Sequence, residues 1–342
     1  MHEMGLGFLG AAEADSASGY LSVSPPVLFF FLGVIAVLVH SKIVIPKAAT
    51  KLLSLYLLWA IGFKGGVELV ASGFTTDALK VVALAMAISV VVPVWGYAAL
   101  RRIIDPLNAA AVAACYGSVS VVTFLTACTA LDQSGTPFSG HMVAVMALME
   151  SPAIVLSLLL LNLDKRRNTP QGPDASATQS PRLGTLLHEA LLNGPVLLLL
   201  GSIAVGALTG QRGYAAFKPL CTDAFPGALA FFLLDLGLLA ARRAKDLLRA
   251  PKLLLVFAVA APLINAAIAI VASRYCGISR GDATLLAVLA ASASYIAAPA
   301  ALRLAIPKAD PGLYVSLSLG LTFPFNIIIG IPLYSAAVNW WW

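Results

Sequence analysis

The chain has 342 residues, 60% of them hydrophobic and 11% charged, with a mean hydropathy of +0.90. Soluble domains carry about 25% charged residues, so this composition excludes a soluble globular class and indicates a polytopic membrane protein. The net charge of +6 does not point to nucleic acid, because the basic residues fall between hydrophobic stretches rather than on a polar surface.

Residues 1–24 contain Glu3, Glu13 and Asp15 but no Lys or Arg. They lack the basic start of a secretory signal peptide, so the first span is expected to be retained. A helix needs about 20 apolar residues to cross a bilayer. Ten runs near that length follow, at 25–45, 50–72, 78–100, 107–131, 140–161, 190–210, 222–241, 252–274, 282–304 and 312–338. The polar, Pro-rich insertion at 162–189 divides them five and five. The expected organisation is a tail (1–24), a first five-helix repeat (25–161), a linker (162–189) and a second five-helix repeat (190–342).

Cation placement predicts orientation. With the N-terminus outside, sixteen of the twenty-two Lys and Arg fall in inside loops, and only Arg212, Lys218, Arg274 and Arg280 fall outside. The positive-inside rule then puts both termini outside and the linker in the cytoplasm, in the plasma or inner membrane. The final Asn339-Trp340-Trp341-Trp342 suits an interfacial anchor. Cys115, Cys128, Cys221 and Cys276 stand singly, without metal or redox spacing, and read as small packing residues.

Short patterns recur in chain order across the two halves. Gly33-Val-Ile-Ala-Val37 echoes Gly201-Ser-Ile-Ala-Val205, Gly66 echoes Gly237, Ser118-Val-Ser120 echoes Ser292-Ala-Ser294, and Glu150-Ser-Pro152 echoes Thr322-Phe-Pro324. The offsets are 168, 171, 174 and 172. Near-constant spacing implies duplication. An odd number of spans per unit makes the second unit inverted, an arrangement typical of secondary transporters.

The serine pairs lie near the middle of spans four and nine. Gly117 weakens the first helix locally, and Pro299 removes a backbone donor in the other. The expected fold is therefore an all-α polytopic membrane protein, with ten transmembrane helices in two inverted five-helix repeats and helices four and nine broken at the midplane. Half-helix N-termini meeting there would present N–H groups and positive dipole ends to an anion, while nearby oxygens hold sodium. Gly117, Ser118, Ser120, Ser292, Ser294 and Tyr295 are the candidate substrate-binding residues. Ser120, Thr123, Ser294 and Glu150 are the candidate sodium site. Close helix packing by small side chains is the alternative reading of the same residues.

At these residues the chain resembles the bacterial sodium-dependent bicarbonate transporter family, the SbtA-like permeases. The likeness runs from Ile61-Gly-Phe-Lys-Gly-Gly66 through Tyr116-Gly-Ser-Val-Ser120 and Met149-Glu-Ser-Pro152 to Ala291-Ser-Ala-Ser-Tyr295. Its most specific part is Pro299-Ala-Ala-Leu-Arg-Leu-Ala-Ile-Pro-Lys-Ala-Asp-Pro-Gly-Leu-Tyr314. The resemblance implies a core domain moving against a gate domain, a trimer, sodium-coupled bicarbonate uptake and a PII-like cytoplasmic regulator. The chain departs from the family pattern at Ala293 and Ala297, where serines are expected, and at Tyr295, where an acid is expected. Val121 and Val122 likewise replace a glycine and a serine. The frame of the site is kept while its polar lining is changed.

Charged residues within spans are costly and often functional. Lys64 and Asp235, related by the 171 offset, form a candidate charge pair, with Glu68 one turn along from Lys64 as the competing partner. Glu150 precedes a proline break and is the coupling-ion candidate. Asn265 and Asn326 are expected to supply interhelical hydrogen bonds. His2, His40, His141 and His188 form no cluster, and no phosphate-binding glycine loop is present. Ser118 and Ser120 have no His or Lys placed to activate them, so no enzyme and no cofactor other than coupling sodium are expected. The function indicated is sodium symport of a small anion, with bicarbonate favoured. The alternatives are another small solute on the same frame, or an intramembrane enzyme or non-transporting scaffold.

Overall fold

A computed structural model of the protein describes residues 25–72, 76–150, 152–168, 194–247 and 250–342. The expected tail at 1–24 and most of the linker at 162–189 lie outside them. Among the described residues there are helices and no strand. In chain order the first seven are α1 (Pro25–Leu38), α2 (Lys47–Ser72), α3 (Thr76–Leu100), α4 (Pro106–Gly117), α5 (Val121–Gln133), α6 (His141–Glu150) and α7 (Pro152–Asn168). Then come α8 (Gly194–Lys218), α9 (Phe225–Leu247), α10 (Lys252–Cys276), α11 (Arg280–Ala291), α12 (Ala297–Ala305) and a final rod α13 (Pro311–Trp341). A π turn, Pro219–Asp223, joins α8 to α9.

Among the described residues, seven stretches are long and apolar enough to cross a membrane, consistent with a polytopic membrane protein. Ten were expected, and the two counts part at three places. The first, α1, has only 14 residues. It stops short of residue 45 because His40 adopts a left-handed φ of 58°, with Ser41 N bonded to Ala36 O and His40 N to Val37 O. This is the helix-terminating pattern usually built on glycine, and Gly277 ends α10 the same way at φ 68°. The 48-residue stretch Leu197–Ala244 holds both α8 and α9. The ninth expected span is split into α11 and α12, of 12 and 9 residues.

Helices α1 and α9 lie together, as do α2 and α8. Glycines set their separation, since without a Cβ two backbones can approach closely. A Cβ on Gly66 would sit 2.0 Å from Ile203 O, and one on Gly237 would sit 2.0 Å from Phe30 O. Gly33 meets Leu234 O at 2.2 Å, and Gly206 meets Phe63 O at 2.1 Å. The residue that reproduces the contact of Gly33 is thus Gly206, at an offset of 173, and not the Gly201 of the sequence echo, whose Cβ position opens on empty space. The echo failed because Gly-x-Ile-Ala-Val is a common apolar string, whereas the contact depends on which helix face meets the partner.

The interior is built on α4 and α11, each 12 residues long and buried almost throughout. Their caps match at an offset of 174. Asp105 and Ser279 open them at φ −60°, ψ 155° and φ −58°, ψ 155°, while Ser118 and Ser292 close them at φ −87°, ψ 161° and φ −75°, ψ 162°. In α4 the fully buried run from Ala109 to Cys115 lets α3 and α7 pack closely against it. The rod α13 contains two π-helical stretches, Ser316–Thr322 and Asn326–Gly330, a widening often found at functional sites.

Candidate functional site

The two helix interruptions meet. Between α4 and α5 the chain is non-helical at 118–120, and between α11 and α12 at 292–296. Ser120 N donates to Ser292 Oγ at 2.8 Å, and Ser294 N donates to Cys115 O at 2.7 Å, so each break is bonded to the other. Both serine pairs are needed, because a broken helix leaves backbone groups that must find partners away from water.

The second serine of each pair accepts a backbone N–H from the first turn of the following half-helix, Ser120 as the N-cap of α5 and Ser294 from two residues before the Ile296 cap of α12. Ser120 Oγ accepts from Thr123 N at 3.2 Å and from Thr123 Oγ1 at 2.9 Å. Ser294 Oγ accepts from Ala298 N at 3.1 Å. The first serine of each pair secures the end of the preceding half. Ser118 Oγ donates to Glu150 O at 2.8 Å, and Ser292 Oγ donates to Leu289 O at 2.8 Å. Ser118, Ser120, Thr123, Ser292 and Ser294 are all at most 3% exposed. The candidate residues from both halves therefore form one buried cluster of oxygens.

Gly117 is a packing position, since an added Cβ would lie 2.7 Å from Ala153 Cβ and 2.9 Å from Pro93 Cδ. Tyr295 packs its ring edge-on against Phe323 at 5.2 Å, and its hydroxyl is buried with no hydrogen bond among the described residues. Glu150 is 6% exposed. Its main chain belongs to the cluster through Ser118, and no ion pair reaches its carboxylate among the described residues.

The expected Lys64–Asp235 pair does not form. Lys64 Nζ lies 3.8 Å from both Glu68 Oε1 and Asp132 Oδ2, whereas Asp235 accepts from Thr50 Oγ1 at 2.8 Å. Positions related by a repeat offset need not face one another, and each group takes the nearest partner on its own side. Lys64, Glu68 and Asp132 border a cavity of about 320 Å³ that also touches Thr129, Gln133 and Thr222. It lies where α2, α5 and the π turn before α9 converge. Three of the single cysteines are buried as expected, but Cys276 is exposed.

Sequence reasoning missed Thr322 and left the partners of Asn265 and Asn326 unnamed. Thr322, in the first π stretch, bonds Tyr116 Oη at 2.5 Å and donates to Ala258 O at 2.8 Å. Asn326 in the second donates to Ala291 O at 2.9 Å, supporting the end of α11, and accepts from Tyr334 Oη. Asn265 accepts from Trp95 Nε1 at 3.0 Å. The interhelical role expected of the two asparagines is what the structure has. The only signal for Thr322 was its place opposite Glu150 in the repeat, and that does not name a partner.

No curated protein matches the chain. Residues 25–339, nearly its whole length, match the profile of the Na+-dependent bicarbonate transporter superfamily. That is a class of transporters and not of enzymes, and the match spans both helix breaks and every element that surrounds them. The chain belongs to the Na+-dependent bicarbonate transporter superfamily.

Proposed function

We propose that this protein is a secondary active transporter that imports a small anion, with bicarbonate the favoured substrate, by sodium symport. The crossing of the two breaks carries the reading: Ser120 N on Ser292 Oγ and Ser294 N on Cys115 O bring α5 and α12 to begin beside one cluster of hydroxyls. Helix N-termini favour anions, and hydroxyl and carbonyl oxygens suit a hard monovalent cation. Sodium would be held by Ser120, Thr123, Ser294 and Glu150, and the anion by the backbone and hydroxyls from Gly117 to Ser120 and from Ser292 to Tyr295. Moving a monovalent anion into a negative interior costs about 2.3 kcal/mol per 100 mV, and one accompanying sodium cancels the charge moved.

Ten spans in two inverted five-helix units complete the proposal. It is supported by the matching caps of α4 and α11 at an offset of 174 and by the glycine contacts at offsets of 171 and 173. A trimer, a PII-like regulator docking on the cytoplasmic face and a core sliding against a gate belong to the same reading. Uptake of labelled bicarbonate into proteoliposomes should require an inward sodium gradient. Sodium-dependent uptake of another small solute, with none of bicarbonate, would keep the frame and replace the substrate. The position to account for it would be Tyr295, whose buried ring stands where the family pattern carries an acid.

Two further outcomes follow from the proposed orientation. A cysteine placed at position 175 should resist membrane-impermeant labelling in intact cells, and one beyond position 339 should be labelled. The reverse pattern would overturn the assignment of both termini to the outside. Replacing 168–181 with a Gly/Ser linker should leave basal uptake intact and alter its control. If uptake is lost while insertion and assembly remain normal, the segment belongs to the transport machinery.

A further inference from the structure

A second pair of contacts joins the two halves away from the serine cluster, and its two members differ in chemistry. Near the start of α4, Asn108 Oδ1 accepts from Asp310 N at 2.8 Å, tying the loop after α12 to that helix. Near the start of α11, 174 residues further along, Asp282 Oδ1 accepts from Ser139 N at 2.7 Å and Asp282 Oδ2 accepts from Ser139 Oγ at 2.8 Å. This ties the loop after α5 to α11. The approach is close, since a Cβ on Gly281 would lie 2.1 Å from Pro137 O.

The first tie uses a neutral amide, itself held by Asp105 through Asn108 Nδ2 at 2.6 Å. The second uses a carboxylate that is 4% exposed. Beside it lies His141, 6% exposed, with Nε2 3.8 Å from Asp282 Oδ2 and without a hydrogen bond among the described residues. A buried carboxylate facing a buried, unpartnered ring nitrogen is expensive when the imidazole is neutral and becomes an ion pair when it takes a proton.

We propose that His141 and Asp282 form a proton-binding site that clamps the 134–140 loop onto α11 when it is loaded. The neighbouring charges do not supply an alternative clamp. On α3, Asp77 lies within electrostatic reach of His141 but is engaged with Lys80 at 2.9 Å. On α2, Lys64 and Glu68 are held in their own pair. Lys47 and Lys51 at the start of α2, Glu150 at the far end of α6, Arg280 at the head of α11, Arg212 and Lys218 on α8, and Asp164 with the basic residues after it on α7 complete the charges on α6 and the elements packed against it. Asp282 is the acidic partner within 4 Å of the ring. The clamp forms when His141 carries the proton and is released when it does not, leaving the two Ser139 contacts to hold the loop.

The position of the site gives the proton leverage. The loop joins α5, which Ser120 caps, to α6, whose last residue accepts from Ser118. Proton binding at His141 therefore stiffens the connection between two elements of the serine cluster.

Hydrogen exchange on the full chain in lipid nanodiscs tests this without recourse to transport. Corrected for intrinsic exchange, protection of the amides at 136–141, Ser139 N in particular, should rise roughly ten- to a hundred-fold as pH falls from about 8 to about 5, the range set by a charge-assisted bond. His141→Gln should abolish the rise. Asp282→Asn should abolish it too while keeping the tie, because an amide oxygen can still accept from Ser139 N as Asn108 does from Asp310. Asp77→Asn should leave the rise in place. Unchanged protection of α4 in each variant reports that it is folded. A flat wild-type profile, or a rise that survives His141→Gln, overturns the proposal.

Discussion

Ser120→Ala and Ser294→Ala are each expected to weaken apparent affinity for sodium or anion by roughly ten- to a hundred-fold, the value of a lost charge-assisted hydrogen bond. Each hydroxyl accepts a backbone N–H from the first turn of a half-helix at the crossing, Ser120 from Thr123 N and Ser294 from Ala298 N. Alanine fits the same space, so helix packing survives. Removing such a bond costs about 1 kcal/mol of stability, a small loss in a chain of this size, and protein abundance should hardly change. Ser202→Ala is the control, since Ser202 is buried and, among the described residues, bonds Leu198 O one turn back in its own helix. Sodium-dependent uptake kinetics in proteoliposomes decide the matter. If both variants transport with near-normal constants while Ser120→Leu fails, the serines serve close packing and the binding site lies elsewhere.

Gly66→Ala and Gly237→Ala should each destabilise the fold by about 1–3 kcal/mol, the usual cost of overpacking. In both cases the new methyl would lie 2.0 Å from a backbone oxygen on the partner helix, Ile203 O or Phe30 O, so the α2–α8 or α1–α9 pair must separate. Backbone cannot swing aside as a flexible side chain can. Gly201→Ala on α8 meets nothing within 4 Å and should be neutral, or stabilising by up to about 1 kcal/mol through helix propensity. Thermal unfolding midpoints of the three purified variants in one detergent provide the comparison. If all three match the wild type, the close pairing is not a requirement of the fold.

Much of the frame was legible because it is written in local chemistry. The apolar runs around α2, α3 and α10 are long enough that no other element accommodates them, and the structure has helices at Lys47–Ser72, Thr76–Leu100 and Lys252–Cys276. The breaks at Gly117-Ser118 and after Ala291 were marked by small residues, hydroxyls and a nearby proline, whose effects on a helix act within a turn or two. Where several signals compete in one short window the reading slipped. The first span ends at Leu38 because His40 turns left-handed, and a histidine at that position carries no glycine's signature.

The sequence by itself determined the solvent this chain folds in, the helical class, the family and the residues from which a site can be made. Composition, hydrophobic length and short motifs are properties of neighbouring residues and survive without any knowledge of packing. Only the tertiary structure decided which of those residues meet. Lys64 takes Glu68 and Asp132 and not Asp235, Gly206 and not Gly201 answers Gly33, and His141, apparently idle at a span end, lies beside Asp282. Each outcome turns on the rotation of a helix about its axis, and the glycine and histidine contacts join residues more than 100 apart in the chain. A shift of one residue turns a helix face by about 100°, enough to exchange one partner for another without altering the pattern that predicts the helix.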